Sequence, residues 1–324
     1  MSGFTGVSPI QKLRKNRNGN EVYVMRDDLL PFSLGGNKVR IAEEFFRDME
    51  EKNCDTMIAY GNARSNLCRV IANECKIRKM PCYIINSTED YEEEQAETSN
   101  SSLMRLLGAV MIPCRKDQIA ETVERTMKEI EEKGGRPYYI FGNKFGTGNE
   151  ATAAGAYAKA YDRIRDFEQE QDLEFDYIFH ASGTGATQTG LICGHLLAGD
   201  RKKIVGILIS SREYERAVSI IRTGVEKYLE RLDKPFLQEY NEEIHVETEF
   251  RKGGYGLYDQ EILDCIRDTF CEESIPLDPV YTGKAFWGMQ QYLKQNRIEN
   301  KKILFIHTGG TPLFFDCLKK GELK

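Results

Sequence analysis

The segment "DYIFHASGTGATQTGLICGHLLAG" (176–199) contains three patterns in succession. The run 176–182 has an apolar centre, Tyr-Ile-Phe, and is a candidate strand. The small residues "GTGAT" (183–187) follow it, and an apolar helical pattern then continues to Gly199. A strand, a glycine-rich loop and a helix in this order are typical of a parallel α/β sheet.

The same alternation of short apolar runs and longer amphipathic segments extends along the whole chain. Other candidate strands are 21–25, 56–60, 81–86, 109–114, 137–142, 203–210 and 302–308. Candidate helices are about 38–52, 65–78, 99–107, 116–134, 150–168, 186–198, 213–232, 258–270 and 283–297. We therefore expect βαβ units and twisted, mainly parallel sheets with helices on both faces. The segment 229–254 has no clear period, which indicates a connection or a mobile cover.

Length and composition indicate a globular enzyme. A chain of 324 residues exceeds what one core usually supports, so one large domain or two interleaved domains are expected. The net charge of -6 argues against non-specific nucleic-acid binding. No apolar run is long enough to span a bilayer, and the first residues do not resemble a signal peptide. We expect a cytoplasmic protein that is not bound to membranes.

Nine cysteines are scattered along the chain and none forms a C-x-x-C pair. An odd number without paired spacing predicts neither a disulfide framework nor a zinc site. No metal site is expected, and the thiols indicate a reducing cytosol.

The loop from Gly183 to Thr187 has the composition of a phosphate-binding site. Backbone N–H groups in such a loop point into one concavity, and the positive end of the following helix dipole favours an anion there. The Gly-Lys-Ser/Thr ending of nucleotide-hydrolysing enzymes is absent, and Gln188 stands where a dinucleotide fingerprint requires glycine. A single phosphate monoester is favoured over ATP or NAD. The alternative is a tight turn that binds nothing.

Other candidate residues also follow predicted strands. Lys38 comes directly after Gly-Gly-Asn, and is either a solvated ammonium at a helix start or a covalent attachment point for a cofactor. Ser65 and Asn66 begin a predicted helix, where Ser65 alone could serve only as an N-cap. Thr308 is the last residue of the candidate strand 302–308. Since ligands bind beyond the carboxyl ends of parallel strands, we expect these residues at one site.

Six segments, taken together, resemble the D-cysteine desulfhydrase and 1-aminocyclopropane-1-carboxylate deaminase family. They occur in the family's order between residues 26 and 312: "RDDLLPFSLGGNKVR", "RSNLCR", "SGTGATQTGL", "GGYGLY", "LDPVYTGKAFWG" and "IHTGGTP". The resemblance implies a pyridoxal-phosphate enzyme of fold type II, similar to the tryptophan synthase β-subunit. It also implies a large cofactor-binding domain of residues 1–41 and 151–324, a small domain of residues 42–150, a cofactor between them and a homodimer.

The resemblance assigns a role to individual residues. Lys38 is implied to form an imine with the cofactor aldehyde and, once released, to act as a general base. The other implied cofactor contacts are Gly183, Thr184, Gly185, Ala186 and Thr187 at the phosphate, Asn66 at the phenolic oxygen and Thr308 at the pyridine nitrogen. Ser65, Tyr255 and Tyr281 are implied to line the substrate side, although the tyrosines could serve only as packing.

The implied activity is elimination of a β-leaving group from a small amino acid. A neutral Thr308 makes the ring a weaker electron sink than a carboxylate would, which favours prompt elimination. Threonine at Thr282, where the deaminases carry glutamate, is similar to the desulfhydrases. We predict D-cysteine as the substrate, converted to pyruvate, sulfide and ammonia.

Two departures from the family pattern leave the substrate open. Leu67 removes a polar group expected near the substrate carboxylate, and Arg64 adds a cation that faces either an anionic substrate group or solvent. The alternatives are an L-cysteate sulfo-lyase, a β-replacement amino-acid synthase, ring opening of aminocyclopropane carboxylate, and racemisation. A degenerate small-molecule binder and a nucleotide-dependent enzyme are alternatives of other classes.

Overall fold

The computed structural model describes residues 6–15, 19–88 and 97–323. Strands and helices alternate along these ranges. The strands are β1 (Ile10–Lys12), β2 (Glu21–Arg26), β3 (Thr56–Tyr60), β4 (Cys82–Thr88), β5 (Val110–Arg115), β6 (Pro137–Tyr139), β7 (Tyr177–Ser182), β8 (Lys203–Leu208), β9 (His245–Glu247) and β10 (Lys302–His307). The helices are α1 (Asn37–Glu51), α2 (Asn66–Arg78), α3 (Ser99–Leu106), α4 (Ile119–Glu132), α5 (Glu150–Gln171), α6 (Ala186–Ala198), α7 (Tyr214–Arg231), α8 (Gln260–Glu273), α9 (Thr282–Gln295) and α10 (Thr311–Lys319).

The strands form two sheets. One has six strands in the order β1-β2-β10-β7-β8-β9, and the other has four in the order β5-β4-β3-β6. All pairings between these strands are parallel except the antiparallel pair of β1 and β2. The predicted α/β architecture with mainly parallel sheets is confirmed.

The register of the larger sheet brings several loops to one edge. His307 at the end of β10 lies opposite Arg26 at the end of β2, and Ser182 of β7 lies opposite Leu208 of β8. The segments that follow these four strands therefore emerge side by side. They carry Lys38, the loop from residue 183, and Thr308, which is the arrangement expected for a ligand site in a parallel sheet.

Three elements were not predicted from the sequence. β1 and β9 have three residues each, too few to show an alternation, and β9 lies within the segment 229–254 that was expected to be irregular. α10 has nine residues and follows β10 after the short turn at Gly309 and Gly310. Elements this short are defined by the neighbours that pair with them or pack on them.

α5 and α6 pack closely because two glycines of α6 face α5. A Cβ at Gly190 would lie 2.6 Å from the Tyr157 Cβ, and one at Gly194 would lie 2.7 Å from the Tyr161 Cγ. Both distances are shorter than side-chain carbons tolerate. This contact holds α6, and so the loop before it, against the rest of the larger sheet.

The apolar core continues from one sheet to the other. One buried cluster includes Met25 and Leu304 of the larger sheet, Ile58 and Ile84 of the smaller sheet, and Phe45 of α1. None of the helices in the described part of the chain is both long enough and apolar enough to cross a membrane.

Candidate active site

A cavity of about 570 Å³ lies between the two sheets. One wall is formed by residues that follow strands of the larger sheet, and the other by residues from β3, α2 and their neighbours in the smaller sheet. All of the residues that the sequence resemblance implied for catalysis or cofactor binding line it: Lys38, Ser65, Asn66, Gly183, Thr184, Gly185, Ala186, Thr187, Tyr255, Tyr281 and Thr308. Residues far apart in the chain are therefore brought together as expected, while their individual roles remain a proposal.

Lys38 is the second residue of α1, and its side chain lines the cavity. Its Nζ atom forms no hydrogen bond or ion pair with any of the residues described. Burial lowers the pKa of this amine from 10.5 to about 8. A cavity lysine with such a pKa is partly neutral near physiological pH, which both imine chemistry and proton abstraction require.

The double glycine before Lys38 allows α1 to begin against the end of β10. Gly36 has a φ of 99°, and a Cβ there would lie 3.0 Å from the Thr308 carbonyl oxygen. The Asn37 N–H donates to that same oxygen at 3.0 Å. Gly-Gly thus fixes Lys38 and Thr308 beside each other, because a side chain at residue 36 would be strained in this conformation.

The glycine-rich loop presents backbone N–H groups that have no acceptor among the described residues. Gly185, with a φ of 92°, precedes α6, and no described residue accepts from the backbone N–H groups of residues 184–187. The Asn37 side chain donates to the Thr187 Oγ1 at 3.0 Å, which links the loop to the start of α1. Unpaired N–H groups at the N-terminus of a helix of this length are suited to bind a phosphate.

The orientation of the Asn66 side chain follows from a backbone carbonyl. The Asn100 Nδ2 donates to the Arg64 carbonyl oxygen at 3.0 Å and to the Asn66 Oδ1 at 2.9 Å. Because a carbonyl can only accept, the atom of Asn100 that faces it must be the nitrogen. The Asn66 Oδ1 is therefore the atom that faces Asn100, and its Nδ2 remains available to donate towards the cavity.

Tyr255 and Tyr281 form a pair in the cavity wall. Their phenolic oxygens are 2.6 Å apart, and the Tyr255 hydroxyl also lies 3.5 Å from the Asn62 Oδ1. Burial raises the pKa of both phenols above 10. They are therefore neutral at physiological pH and can donate or accept a hydrogen bond, but they are poor bases compared with Lys38.

Ser65 is the N-cap of α2, as the sequence predicted. Its side chain caps α2 by accepting from the Cys68 N–H at 3.2 Å, and the residue also lines the cavity. The cap uses a lone pair of the oxygen, so the hydroxyl proton remains available for a ligand. Capping and ligand contact are thus compatible here.

Arg64 and Leu67 occupy different positions relative to the cavity. Leu67 lines it, whereas Arg64 is not among the described residues of its wall. The Arg64 Nη1 would lie 3.8 Å from a Cβ at Gly256, and its charge lowers the pKa of Tyr255 against the larger effect of burial. Arg64 therefore acts on the site through the Tyr255 loop and does not supply part of its wall.

The described part of the cavity wall carries no acidic side chain. Among the described residues that line it there is neither an aspartate nor a glutamate. Asp278 lies three residues before Tyr281 in the chain and has a structural role. Its carboxylate oxygens accept from the N–H groups of Val280, Tyr281 and Thr282 and from the Thr282 hydroxyl. Thr282 is itself fully buried, and it is not part of the described cavity wall.

Some residues of the site were missed by the sequence analysis. Asn37 was quoted only as a neighbour of Lys38, and Asn100 lies in α3 without any recognisable motif. Arg212, which lines the cavity, follows β8 by four residues. The position of Arg212 beyond the carboxyl end of a parallel strand was a signal that could have identified it.

The chain matches one family model and several known proteins over most of its length. A family model described as pyridoxal-phosphate dependent enzyme matches residues 1–309. A 1-aminocyclopropane-1-carboxylate deaminase of Burkholderia multivorans is 29% identical over 96% of this chain and 93% of its own length. A D-cysteine desulfhydrase of Serratia proteamaculans is 28% identical over 95% of this chain and 92% of its own length.

A solved structure has a similar fold. The crystal structure described as that of an ACC deaminase homologue superimposes with a TM-score of 0.85 at 27% identity, covering 100% of this chain and 95% of the other. This likeness confirms the fold class that the sequence resemblance implied.

Proposed function

The chain belongs to the pyridoxal-phosphate dependent enzyme family, and from that premise we propose a lyase that removes a β-leaving group from a small amino acid. D-cysteine is the first candidate substrate, with pyruvate, sulfide and ammonia as products. The observation that carries this proposal is a cavity with a partly neutral lysine, a loop of unpaired N–H donors and no described carboxylate in its wall.

The residues present fit the cofactor. The unpaired N–H groups of residues 184–187 suit its phosphate, and the Asn66 Nδ2 suits its phenolic oxygen. The Thr308 hydroxyl suits the ring nitrogen, and the Lys38 amine suits the aldehyde. When bound, pyridoxal phosphate supplies an aldehyde that links to amines and a ring that stabilises negative charge on the substrate's α-carbon.

Lys38 is the proposed general base. Of the three titratable groups proposed for the substrate side, it alone has a pKa near 8, while burial keeps the two tyrosines protonated. A base with a pKa close to the working pH combines a sufficient neutral fraction with adequate proton affinity. Tyr255 and Tyr281 would donate hydrogen bonds to the leaving group or to the substrate.

The N-terminus of α2 is the proposed position of the substrate carboxylate. The N–H groups of Asn66 and Leu67 have no intrahelical acceptor, and the Ser65 hydroxyl proton lies beside them. The helix dipole adds to the attraction of an anion at this end. Leu67 would restrict the side chains that fit next to the carboxylate, and so it would select small substrates.

Elimination is favoured over ring opening by the neutral hydroxyl of Thr308. A hydroxyl does not hold the ring nitrogen protonated as a carboxylate does, so negative charge on the α-carbon is stabilised less. A substrate with a good β-leaving group needs less of that stabilisation than a cyclopropane. This favours the desulfhydrase activity named for one relative over the deaminase activity named for others.

The direct test is an assay of keto-acid release with D- and L-cysteine, D- and L-cysteate, chloroalanine, diaminopropionate and 1-aminocyclopropane-1-carboxylate. We expect pyruvate from D-cysteine at the highest kcat/KM, and little 2-oxobutyrate from the cyclopropane substrate. Faster 2-oxobutyrate formation would establish ring opening instead, and preference for cysteate would establish a sulfo-lyase. Absence of keto acid from all seven compounds would refute a lyase. The variant Lys38→Ala serves as the control, because it should lose both the activity and the visible absorbance of the lysine-bound cofactor.

We further propose that residues 1–41 and 151–324 form one domain and residues 42–150 the other, with the protein acting as a cytoplasmic homodimer. The distribution of strands between the two sheets supports this division. Sedimentation of the purified protein tests the dimer, and fractionation of the native cells tests the location.

A further inference from the structure

Arg212 places a cation on the wall of the cavity that carries the glycine-rich loop. It follows β8, lines the cavity, and its Nη1 donates to the Gly183 carbonyl oxygen. Gly183 is the first residue of the loop, and the N–H groups of the residues after it, 184–187, have no acceptor within the described ranges. A guanidinium uses only part of its five donors in one such bond, so others remain for a ligand.

Arg212 is the end of a chain of cations that donate to backbone carbonyls. The Lys284 Nζ donates to the Arg251 carbonyl oxygen at 2.8 Å, and the Arg251 Nη1 donates to the Arg212 carbonyl oxygen at 3.1 Å. Within the ranges that the structure describes, neither Arg212 nor Arg251 forms an ion pair with a carboxylate. Among the described residues, Arg212 and Arg251 therefore place positive charge near the loop that no ion-paired carboxylate neutralises.

The environment disfavours this charge as long as no anion is bound. Burial lowers the pKa of Arg212, and the positive charge of Arg216 lowers it further. A half-buried cation beside another cation is stabilised when an anion approaches it. The loop by itself offers only neutral donors, whereas a phosphate monoester carries between one and two negative charges near pH 7.

We propose that Arg212 is a binding residue for the phosphate of pyridoxal phosphate, supplying the formal charge that the N–H groups of residues 184–187 lack; this rests on the proposed cofactor site. The substrate carboxylate is the other anion in the cavity, but its proposed position at α2 belongs to the wall formed by the smaller sheet. Arg212 and the glycine loop share the opposite wall and a direct hydrogen bond.

The test compares pyridoxal phosphate with pyridoxal, which has the same aldehyde and ring but no phosphate. Cofactor-free full-length protein is titrated with each compound, and the visible absorbance of the lysine-bound form gives both dissociation constants. Replacing Arg212 by Gln should weaken pyridoxal phosphate at least about tenfold, the usual size of a charge-assisted hydrogen bond. Pyridoxal should bind within about twofold of its affinity for the unaltered protein.

Two matched variants distinguish the effect of the Arg212 charge in the cavity wall from the effect of a positive charge outside it. Arg212→Lys keeps the charge but not the planar fork, so it should lie between the unaltered protein and Arg212→Gln. Arg216→Gln removes a cation from the exposed start of α7, outside the described cavity wall, and should leave the ratio of the two affinities unchanged. Inorganic phosphate should also compete more weakly with pyridoxal phosphate in Arg212→Gln.

Three results of this comparison would overturn the inference. If Arg212→Gln weakens both compounds equally, Arg212 only shapes the loop through the Gly183 carbonyl. If it changes neither affinity but raises KM for cysteate more than for D-cysteine, it binds a substrate anion. If the unaltered protein does not bind pyridoxal phosphate at all, the proposed cofactor site fails before Arg212 is at issue. A missing lyase activity leaves the binding comparison intact.

Discussion

At the scale of single residues, Lys38 and Lys284 show why a shifted pKa does not identify a catalytic group. Burial lowers the pKa of both amines to about 8. Lys284 donates to the carbonyl oxygens of Arg251 and Gly254 at 2.8 and 2.6 Å, so its hydrogens hold the loop that carries Tyr255. Lys38 has no partner among the described residues and lies in the cavity. The difference is in the contacts, and only Lys38 is free to react.

The pKa of Lys38 predicts how cofactor capture depends on pH. Folding lowers this pKa from 10.5 to about 8, so the amine is mostly charged below that value and mostly neutral above it. Only the neutral amine attacks an aldehyde, so the rate of capture by cofactor-free protein should rise with pH, reach half of its limiting value near pH 8 and level off about one unit higher. Stopped-flow absorbance measures this rate. A midpoint near the ordinary lysine value of 10.5 would contradict the burial of Lys38.

At the scale of elements, α6 has two functions that are linked by its glycines. Its N-terminus follows the glycine-rich loop that we propose as the phosphate site, and its face packs against α5 through Gly190 and Gly194. An isolated helix with glycines at these positions loses stability relative to alanine. The close approach of α5 compensates for that loss, so the glycines are explained by packing and not by local helix preference.

Gly190→Ala should destabilise the protein even though alanine favours helices. The new methyl group would meet the Ala154 carbonyl oxygen and the Tyr157 Cβ, and backbone cannot move aside as a flexible side chain can. We expect the free energy of unfolding to fall by about 1–3 kcal/mol, as in overpacked cores.

Gly155→Ala in α5 is the matched control. There the methyl group would lie 3.0 Å from the Glu44 Oε2, the end of a flexible side chain that can move. We expect no loss of stability, or a gain of up to about 1 kcal/mol from helix propensity. Urea unfolding measures both variants, and equal stabilities would refute the packing explanation.

At the scale of the whole molecule, the C-terminal helix links the two halves of the cavity. Asp316 of α10 accepts from the Ser99 N–H at 3.1 Å and from the Ser99 hydroxyl at 2.5 Å, at the start of α3. A carboxylate at a helix N-terminus is stabilised by the helix dipole. The next residue, Asn100, orients Asn66, so this contact ties the position of Asn66 to the larger sheet.

Asp316→Asn should loosen α3 without unfolding the protein. The amide cannot accept two hydrogen bonds with the strength of a carboxylate, and the interaction with the helix dipole is lost. Hydrogen exchange of the amides in 99–106 should accelerate about threefold to tenfold, while exchange in β10 should not change. Lys320→Gln, just beyond the end of α10, is the control for altered charge. Unchanged exchange in α3 would show that this contact does not hold the two halves together.

The local patterns of the chain were sufficient for the long elements. Apolar runs such as 203–210 and amphipathic segments such as 213–232 lie within three residues of β8 and α7 at every end. β1 and β9 were missed because three residues are too few to show an alternation, whereas α10 spans about two and a half helical turns and was not recognised. Their positions depend on pairing with β2 and β8 and on packing against α3, which are contacts between distant parts of the chain.

The sequence by itself determined the parallel α/β class, the family and the set of residues that would meet at one cavity, because strand periodicity and glycine-rich turns are encoded locally. The tertiary structure decided which of those residues lack partners, that the cavity wall described here has no carboxylate, and that Arg212 rather than Arg64 reaches it. It also decided the orientation of Asn66, through a carbonyl and an amide 36 residues apart. Hydrogen bonding and burial depend on which distant segments come together, and no local pattern contains that information.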